Sequence, residues 1–265
     1  MRTLIPIDDP DDPRIAAYRD IRERDLVGRQ GRFVAEGKVV LNVLFSASRF
    51  AAESVLLRDN RVAGMEEILR RVPEKVPVYV ASAAVMDAIA GFPMHRGVLA
   101  IGRRECEEDA QALLARLPKR ALVVALSGIA NHDNMGAIFR NAAAFGADAV
   151  VMDAGSCDPL YRKAIRVSVG AALKVPFARA STAEDMVEAL LRASFTILAL
   201  SPRGERDIAQ ARRRARTALL LGAEGPGLPA ALLDRLPSVR IAMREDFDSL
   251  NVATASAIAL HRLWR

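Results

Sequence analysis

The sequence predicts an α/β fold in two parts, of which the second is built on a parallel sheet. Segments with strand character alternate with segments of helical periodicity along the chain. The strand-like segments of the C-terminal half are almost continuously apolar, which is typical of parallel strands covered on both faces. The chain has 265 residues, more than the roughly 100–200 of a usual single domain. We therefore expect two domains.

The first part of the chain predicts a small α/β domain over residues 1–105. Four segments have helical periodicity: 12–22, 38–45, 65–71 and 82–89. Four segments between or beside them have strand character: 33–35, 54–57, 76–80 and 97–101. The charged run 103–109 interrupts this alternation and indicates a linker or a linking helix, so we expect a linker over 106–118.

The second part predicts the parallel-sheet domain, over residues 119–265. Five apolar segments predict strands: 121–126, 149–152, 196–200, 218–221 and 239–241. Four further segments predict helices: 135–145, 183–193, 229–236 and 250–264. Because the strands alternate with helices, we expect them to run parallel, with helices on both faces of the sheet.

The charge balance indicates a polyanion as partner. Lys and Arg number 38 against 32 Asp and Glu, a formal net charge of +6, and a basic surface attracts phosphate over long distances. Two groups of basic residues are dense: Arg22, Arg24, Arg29, Arg32 and Lys38 in the first domain, and Arg203, Arg206, Arg212, Arg213, Arg214 and Arg216 in the second. The sequence leaves open whether either group binds phosphate or is a solvated surface.

Composition also argues against several classes of protein. The two cysteines, Cys106 and Cys157, are too few for a disulfide framework or a four-cysteine zinc site, so we expect a reducing, cytoplasmic compartment. The three histidines lack the short spacings of metal ligands, and we expect no metal. The N-terminal segment lacks the pattern of a secretory signal and no run approaches membrane-spanning length, so we expect no membrane association.

Three polar clusters follow predicted strands of the second domain. The clusters are Asn134-Met135-Gly136 with Arg140, the glycine-rich segment 222–227, and Ser249-Leu250-Asn251. In open α/β sheets, ligands bind beyond the carboxyl ends of the strands, so the clusters predict an enzyme site. Taken singly, each also has a structural interpretation: Asn134 and Ser249 as helix N-caps, Arg140 as an exposed arginine, and the glycines as a turn.

Two other kinds of site do not match these clusters. The segment 222–227 contains neither the Gly-x-Gly-x-x-Gly pattern of dinucleotide sites nor the Gly-Lys-Ser/Thr ending of phosphate loops. No histidine and acid are placed to make Ser249 the nucleophile of a hydrolase triad.

Together, the three clusters resemble the signature motifs of the SpoU branch of the SPOUT RNA methyltransferases. The motifs are Asn134-x-Gly136-x3-Arg140-x4-Phe145-Gly146, Gly222-x-Glu224-x2-Gly227-Leu228 and Ile241-x-Met243-x5-Ser249-Leu250-Asn251-Val252. The resemblance covers about residues 119–265 in order. The segments 33–37 and 95–100 are similar to the small substrate-binding domain that many members carry.

The resemblance implies an enzyme that transfers a methyl group from S-adenosylmethionine to a ribose 2′-oxygen of structured RNA, either tRNA or rRNA. It also implies a deep trefoil knot in the C-terminal domain, a homodimer formed through that domain, and RNA binding by the first domain. Two alternatives stay open: a catalytically silent RNA-binding or assembly factor with the same fold, and a base methyltransferase of a related knotted fold.

The resemblance also assigns site residues. Arg140 is the catalytic candidate, either as the base or as a group that binds phosphate and stabilises the developing alkoxide; a guanidinium normally stays protonated, which favours the second role. Asn134, Ser249 and Asn251 would hold the ribose and the loop around Arg140, and Glu224 is expected to be a buried architectural acceptor. The cofactor contacts would come from Gly222, Glu224, Gly227, Ile241, Met243, Leu250 and Asn251.

Two positions depart from the family pattern. Ala242 stands where members commonly have proline, and Glu245 stands where they commonly have glycine. Glu245 adds a charge, together with Asp246 and Asp248, near the expected cofactor loop. Because every polar position with an assigned role is kept, we predict an active enzyme.

Overall fold

The computed structural model describes residues 3–19, 27–28, 30–90, 97–244 and 246–264. Contacts divide the chain into two compact units. The N-terminal unit comprises Met1–Cys106 and Leu160–Lys174, and the C-terminal unit comprises Glu107–Pro159 and Val175–Arg265. The segment Leu160–Lys174 therefore belongs by its contacts to the first unit, although it lies within the range expected for the second domain.

The strands and helices alternate along most of the chain. The strands are β1 (Ile5–Ile7), β2 (Arg32–Glu36), β3 (Ala51–Arg58), β4 (Val78–Ala81), β5 (Val98–Arg103), β6 (Ala121–Leu126), β7 (Ala149–Met152), β8 (Phe177–Arg179), β9 (Thr196–Leu200), β10 (Arg206–Asp207), β11 (Arg216–Leu221) and β12 (Ser238–Arg240). The α-helices are α1 (Lys38–Leu44), α2 (Glu66–Leu69), α3 (Ala83–Ala90), α4 (Ala110–Ala115), α5 (His132–Ala144), α6 (Arg162–Val167), α7 (Ala171–Lys174), α8 (Ala183–Arg192), α9 (Ala230–Leu233) and α10 (Val252–Trp264). Short 3-10 helices lie at Pro13–Tyr18, Asp59–Met65 and Ile208–Gln210.

The N-terminal unit contains a five-stranded mixed sheet in the order β1-β4-β3-β5-β2. Strand β5 is antiparallel to β2 and β3, whereas β4 pairs in parallel with β1 and β3. Tyr18 and Ser54 share a buried hydrogen bond of 2.8 Å that ties the first 3-10 helix to β3. The helix predicted over 12–22 is instead this 3-10 turn, because Asp12 caps its start and Arg19 is already extended; residues 20–22 lie outside the described ranges.

The C-terminal unit contains a seven-stranded sheet in the order β10-β12-β9-β11-β6-β7-β8, and all of its pairings are parallel. This confirms the predicted parallel sheet. Alternate residues of β6, such as Val123 and Ala125, face an apolar cluster that includes Leu113 of α4 and Leu190 of α8. The helices α5 and α10 pack against each other. The strands β6 and β7 are fully buried and apolar throughout, as expected where both faces of a sheet are covered.

Several short elements do not correspond to a predicted one. The strands β1, β8 and β10 have two or three residues each, too few for a periodic pattern to show. The range predicted as a linker contains α4, which begins at an Asp109 cap that accepts from the Ala112 N–H. Its Leu113 and Leu114 are fully buried. The described part of the chain has no helix long and apolar enough to cross a membrane.

Three central strands of the C-terminal unit end at the same level. Leu126, the last residue of β6, lies opposite Leu221 of β11 on one side and opposite Met152 of β7 on the other. From β6 the chain continues to β7 in one direction, and from β11 it continues to β12 in the other. The boundary between β6 and β11 is therefore a topological switch point, where the loops that leave the sheet diverge and ligands bind.

A substitution at Gly102 of β5 tests how tightly the core of the N-terminal unit is packed. A methyl group at this position would lie 2.1–2.8 Å from ring atoms of Phe33, which is fully buried and stacks edge-on against Phe50. We expect Gly102→Ala to lower the free energy of unfolding by about 1–3 kcal/mol, the usual cost of overpacking a core. Gly64→Ala is the matched control, because a methyl group there meets no atom within 4 Å. Equal urea midpoints for the two variants would contradict this packing.

Candidate active site

A short loop connects β6 to helix α5, and Asn131 caps the N-terminus of this helix. The Oδ1 of Asn131 accepts from the backbone N–H groups of Asp133 and Asn134, at 2.8 and 3.2 Å. The prediction that Asn134 is the N-cap is therefore wrong, because Asn131 has the extended backbone of a cap and Asn134 lies in the first helical turn. Since capping does not engage it, the Asn134 side chain is available to contact another loop.

Asn251 connects the three polar clusters. Its Nδ2 donates to Oδ1 of Asn134 at 2.9 Å and to Oε1 of Glu224 at 2.7 Å. Its Oδ1 accepts from the N–H groups of Ala253 and Thr254, at 3.0 and 3.2 Å, and so caps α10. One amide therefore joins the start of α5, the loop after β11 and the start of α10. The structure brings together Asn134, Glu224 and Asn251, as the motif order implied.

Two expectations for neighbouring residues are wrong. Ser249 is not the N-cap of the last helix, since Asn251 takes that place and the helix begins two residues later than predicted. Ser249 is exposed, and its hydroxyl forms no hydrogen bond with the residues that the structure describes. Glu224 is exposed rather than buried, because its loop projects beyond the end of β11. It still acts as an acceptor, for the Asn251 amide.

Arg140 lies on α5 but not beside Asn134. Six residues along a helix turn by about 600°, which leaves Arg140 about 120° away from the Asn134 face. Asn141, seven residues on, shares that face and donates to Ala253 O and Ser256 Oγ of α10, at 2.8 and 2.9 Å. Arg140 is exposed, and it forms no hydrogen bond or ion pair with the described part of the chain. The structure therefore leaves its guanidinium open to a ligand without joining it to the Asn251 amide.

The residues that the resemblance assigns to the cofactor lie at the carboxyl edge of the sheet, as the Asn251 amide does. Gly222 follows β11 and lies close to the backbone at the end of the same loop. A methyl group at Gly222 would lie 2.5 Å from the Leu228 nitrogen. Gly227 has a φ of +73°, and open space lies where its side chain would be. Ile241, Met243 and Leu250, in the irregular segment before α10, are half-buried. Ala242 is exposed, and Glu245 lies outside the described residues.

Asp153 and Ser156 support the loop after β6, and sequence reasoning missed them. Both carboxylate oxygens of Asp153 accept from the Gly128 N–H, at 3.0 and 3.1 Å, and the Ser156 hydroxyl donates to Asp153 at 2.8 Å. Ser156 Oγ also accepts from the Ile129 N–H at 3.1 Å. Both side chains are buried. The position of Asp153, directly after a strand that neighbours β6, was the signal that could have identified it.

Cys157 follows this buried pair and binds the same loop through its backbone, with its N–H donating to Ile129 O at 2.8 Å. Burial, with a smaller contribution from the neighbouring Asp158 carboxylate, raises the pKa of the Cys157 thiol to about 12. The thiol therefore stays protonated at neutral pH and is a poor nucleophile. Among the described residues, no group of three or more histidine, cysteine and acidic side chains is arranged to hold a metal ion.

The second basic group is partly structural. The Arg216 guanidinium lies 4.4 Å from the Phe195 ring centroid and donates to the carbonyls of Leu114, Leu117 and Pro118. Arg216 begins β11, so it lies at the edge of the sheet opposite the Asn251 amide. Of the first basic group, Arg22, Arg24 and Arg29 lie outside the described residues, and Arg32 pairs with Glu53 at 2.8 Å.

Comparisons with known proteins find relatives that cover most of the chain. A family model described as the SpoU rRNA Methylase family matches residues 121–261. An uncharacterized tRNA/rRNA methyltransferase of Mycobacterium bovis is 42% identical over 97% of this chain and 90% of its own length. The 23S rRNA (guanosine-2′-O-)-methyltransferase RlmB of Escherichia coli K12 is 29% identical over 70% of this chain and 77% of its own length.

Solved structures share the fold. The AdoMet-bound rRNA methyltransferase of Sinorhizobium meliloti superposes with a TM-score of 0.82 at 23% identity, covering 98% of this chain and 97% of the other. A structure described as an RNA 2′-O ribose methyltransferase superposes with a TM-score of 0.74 at 27% identity, covering 97% of each chain. Because the family model spans more than half of the chain and the mycobacterial relative nearly all of it, the chain belongs to the SpoU rRNA methylase family.

Proposed function

We propose that this protein methylates a ribose 2′-oxygen of structured RNA, tRNA or rRNA, with S-adenosylmethionine as the methyl donor. The observation that carries the proposal is the Asn251 amide, which joins Asn134 and Glu224 at the switch point of a parallel sheet. The names of the relatives support the reaction, since RlmB of Escherichia coli is named a 23S rRNA (guanosine-2′-O-)-methyltransferase and the mycobacterial relative an uncharacterized tRNA/rRNA methyltransferase.

The residues at this edge fit S-adenosylmethionine. The loop after β11 exposes its backbone at Gly225 and Gly227, where no side chain limits the approach of a ligand. The half-buried side chains of Ile241, Met243 and Leu250 supply an apolar surface for an adenine ring. Backbone donors beside apolar side chains suit a nucleoside that also carries a charged amino acid. When bound, the cofactor supplies an electrophilic methyl group on a sulfonium.

Arg140 is the residue that we assign to the reacting ribose. A 2′-hydroxyl is a weak nucleophile at neutral pH, so its proton must be removed or shared and the resulting charge stabilised. The exposed guanidinium of Arg140 has all of its donors available for a phosphate or an alkoxide oxygen. We assign it the binding of phosphate and the stabilisation of negative charge on the 2′-oxygen, because a guanidinium holds its proton strongly.

Asn134, Ser249, Glu224 and Asn251 position the site. The Asn251 amide fixes the distance between the start of α5 and the loop after β11, which carries the glycines. Glu224 orients that amide, and the exposed Ser249 hydroxyl, two residues before it, is free to bind a ribose hydroxyl. A site built from three loops needs such a connection, because small displacements of reacting groups lower the rate strongly.

The knot and the homodimer belong to the same proposal. Strand β12 lies on the far side of β9 from β11, yet α10, which follows β12, packs on α5. Residues 241–244 and 246–251 therefore return across the carboxyl edge past the loop after β11, the course that a threaded tail would take. Helix α10 also exposes the apolar side chains of Ile258 and Trp264, which suits a homodimer contact through the C-terminal unit.

Cofactor binding separates the proposed enzyme from a catalytically silent RNA-binding factor. We expect isothermal titration calorimetry to show one S-adenosylmethionine site per chain. We also expect purified protein to transfer a tritiated methyl group to total RNA from cells that lack it, with the label at ribose 2′-oxygens. A protein that binds RNA but not the cofactor would favour the silent factor. Label on a base would instead favour a base methyltransferase.

Arg140→Lys tests the assigned role of Arg140. Lysine keeps the charge but loses the planar set of donors, so we expect turnover to fall at least about 100-fold while cofactor binding stays near normal. The matched control is Arg192→Lys, which changes another exposed arginine, at the end of α8. Single-turnover methyl transfer to RNA, with calorimetry of each variant, measures both effects. Turnover that survives in Arg140→Lys would rule out this role.

Asn251→Asp tests the network. The change keeps the oxygen that caps α10 but places a second oxygen where Nδ2 donated to Asn134 and Glu224. We expect a loss of about 1 kcal/mol in the free energy of unfolding, limited by solvent screening at the exposed Glu224. In the double variant, Glu224→Gln supplies a donor to the new carboxylate, and we expect it to recover part of the lost free energy of unfolding. Strictly additive effects in a urea double-mutant cycle would contradict a direct contact.

A further inference from the structure

A cleft in the N-terminal unit has no role in the proposed reaction. Its volume is about 660 Å³, within the range of small-ligand sites. It lies between the start of α1, the 3-10 helix before α2, the start of β5 and the segment that contains α6. All of these elements belong to the same compact unit. The cleft is therefore formed within one unit.

The charged residues of the cleft favour an anion. Among the described residues that line it, three are cationic, Lys38, Arg61 and Arg166, and one is a carboxylate, Glu36. Glu36 is only 6% exposed and accepts from Nε of Arg162 at 2.9 Å, with Nη1 of Arg166 at 3.8 Å. Its charge is therefore balanced within the protein, and Arg166 is held beside the cleft with donors to spare. The described lining residues therefore carry more positive than negative charge.

The remaining wall of the cleft is apolar. Val39 is exposed and Val169 is half-buried, whereas Met65 and Val98, which also line the cleft, are almost fully buried. An apolar surface next to a group of cations is complementary to a nucleotide, whose base and sugar are flat or apolar and whose phosphate is anionic. A free phosphate would use only the cations and leave the apolar wall exposed to water.

The backbone at Val169 is strained. Val169 has a φ of +55° at the end of α6, where the Gly170 N–H donates to Ile165 O. This position favours glycine, and a β-branched residue is rarely found there. The strained residue lines the cleft. Strain of this kind is concentrated at ligand sites, where the side chain is needed despite its cost.

We propose that this cleft binds one unpaired nucleotide of the RNA substrate, with the phosphate at Lys38, Arg61 and Arg166 and the base against Val39 and Val169. The inference rests on the proposed function, because it assigns part of the same RNA to the N-terminal unit. A base inside a duplex is stacked and paired and cannot enter a cleft, so the site selects single-stranded loops or ends.

The test measures binding of a short fluorescein-labelled oligouridylate to the full chain by fluorescence anisotropy. We expect Lys38→Gln and Arg61→Gln each to weaken binding at least about threefold, and each to reduce the slope of log affinity against log salt by about 0.7. The matched controls are Lys75→Gln and Arg70→Gln, exposed cations of the same unit outside the cleft. Equal losses in cleft and control variants would overturn the proposal.

Val169→Gly tests the apolar wall independently of charge. The change relieves the backbone strain, so we expect the melting temperature to stay within a few degrees of the wild type while oligouridylate affinity falls at least about threefold. Duplex RNA of equal length is expected to bind with the same affinity to this variant and to the wild type. An unchanged affinity for oligouridylate in Val169→Gly, or displacement of the probe by polyglutamate as effectively as by unlabelled RNA, would overturn the proposal.

These measurements do not depend on methyl transfer. If oligouridylate binding responds as expected while calorimetry shows no cofactor binding, the proposed reaction fails and the nucleotide site stands. If the cofactor binds and RNA is methylated while the cleft variants bind oligouridylate like the wild type, the proposed reaction stands and the nucleotide site is wrong.

Discussion

The site depends on the two hydrogen bonds that the Asn251 amide nitrogen donates. They join residues 117 and 27 positions away along the chain, Asn134 and Glu224, at 2.9 and 2.7 Å. The same side chain caps α10 with its oxygen, so all of its capacity for hydrogen bonding serves to hold three segments together. Loss of this amide would remove the side-chain hydrogen bonds from Asn251 to the glycine-rich loop and to the start of α5, while Asn141 would still join α5 to α10.

This connection is possible because of the sheet beneath it. The central strands β11, β6 and β7 end in register, at Leu221, Leu126 and Met152, so their loops leave the sheet side by side. The buried carboxylate of Asp153 then holds the first loop through the Gly128 N–H. Rigid strands and a buried acceptor thus set the positions from which the polar side chains meet.

The elements that sequence reasoning located well are those whose own residues determine them. Strands β6, β7 and β9 begin and end where predicted, because continuous apolar runs leave little choice of structure. The caps were misplaced because Asn131 and Asn134 are equally good N-caps by type, as are Ser249 and Asn251. In the first pair, Asn131 caps the helix and Asn134 accepts from the distant Asn251; in the second, Asn251 caps α10 with its oxygen and binds the distant residues with its nitrogen.

The sequence by itself determined that the C-terminal half is a parallel sheet and that three polar clusters follow its strands, since period and polarity are local properties. Only the tertiary structure decided that Asn134, Glu224 and Asn251 meet while Arg140 faces solvent, because that depends on helix phase and strand register. It also decided that Leu160–Lys174 packs in the N-terminal unit, where Arg162 pairs with the buried Glu36. An ion pair between positions so far apart leaves no periodic trace in the sequence.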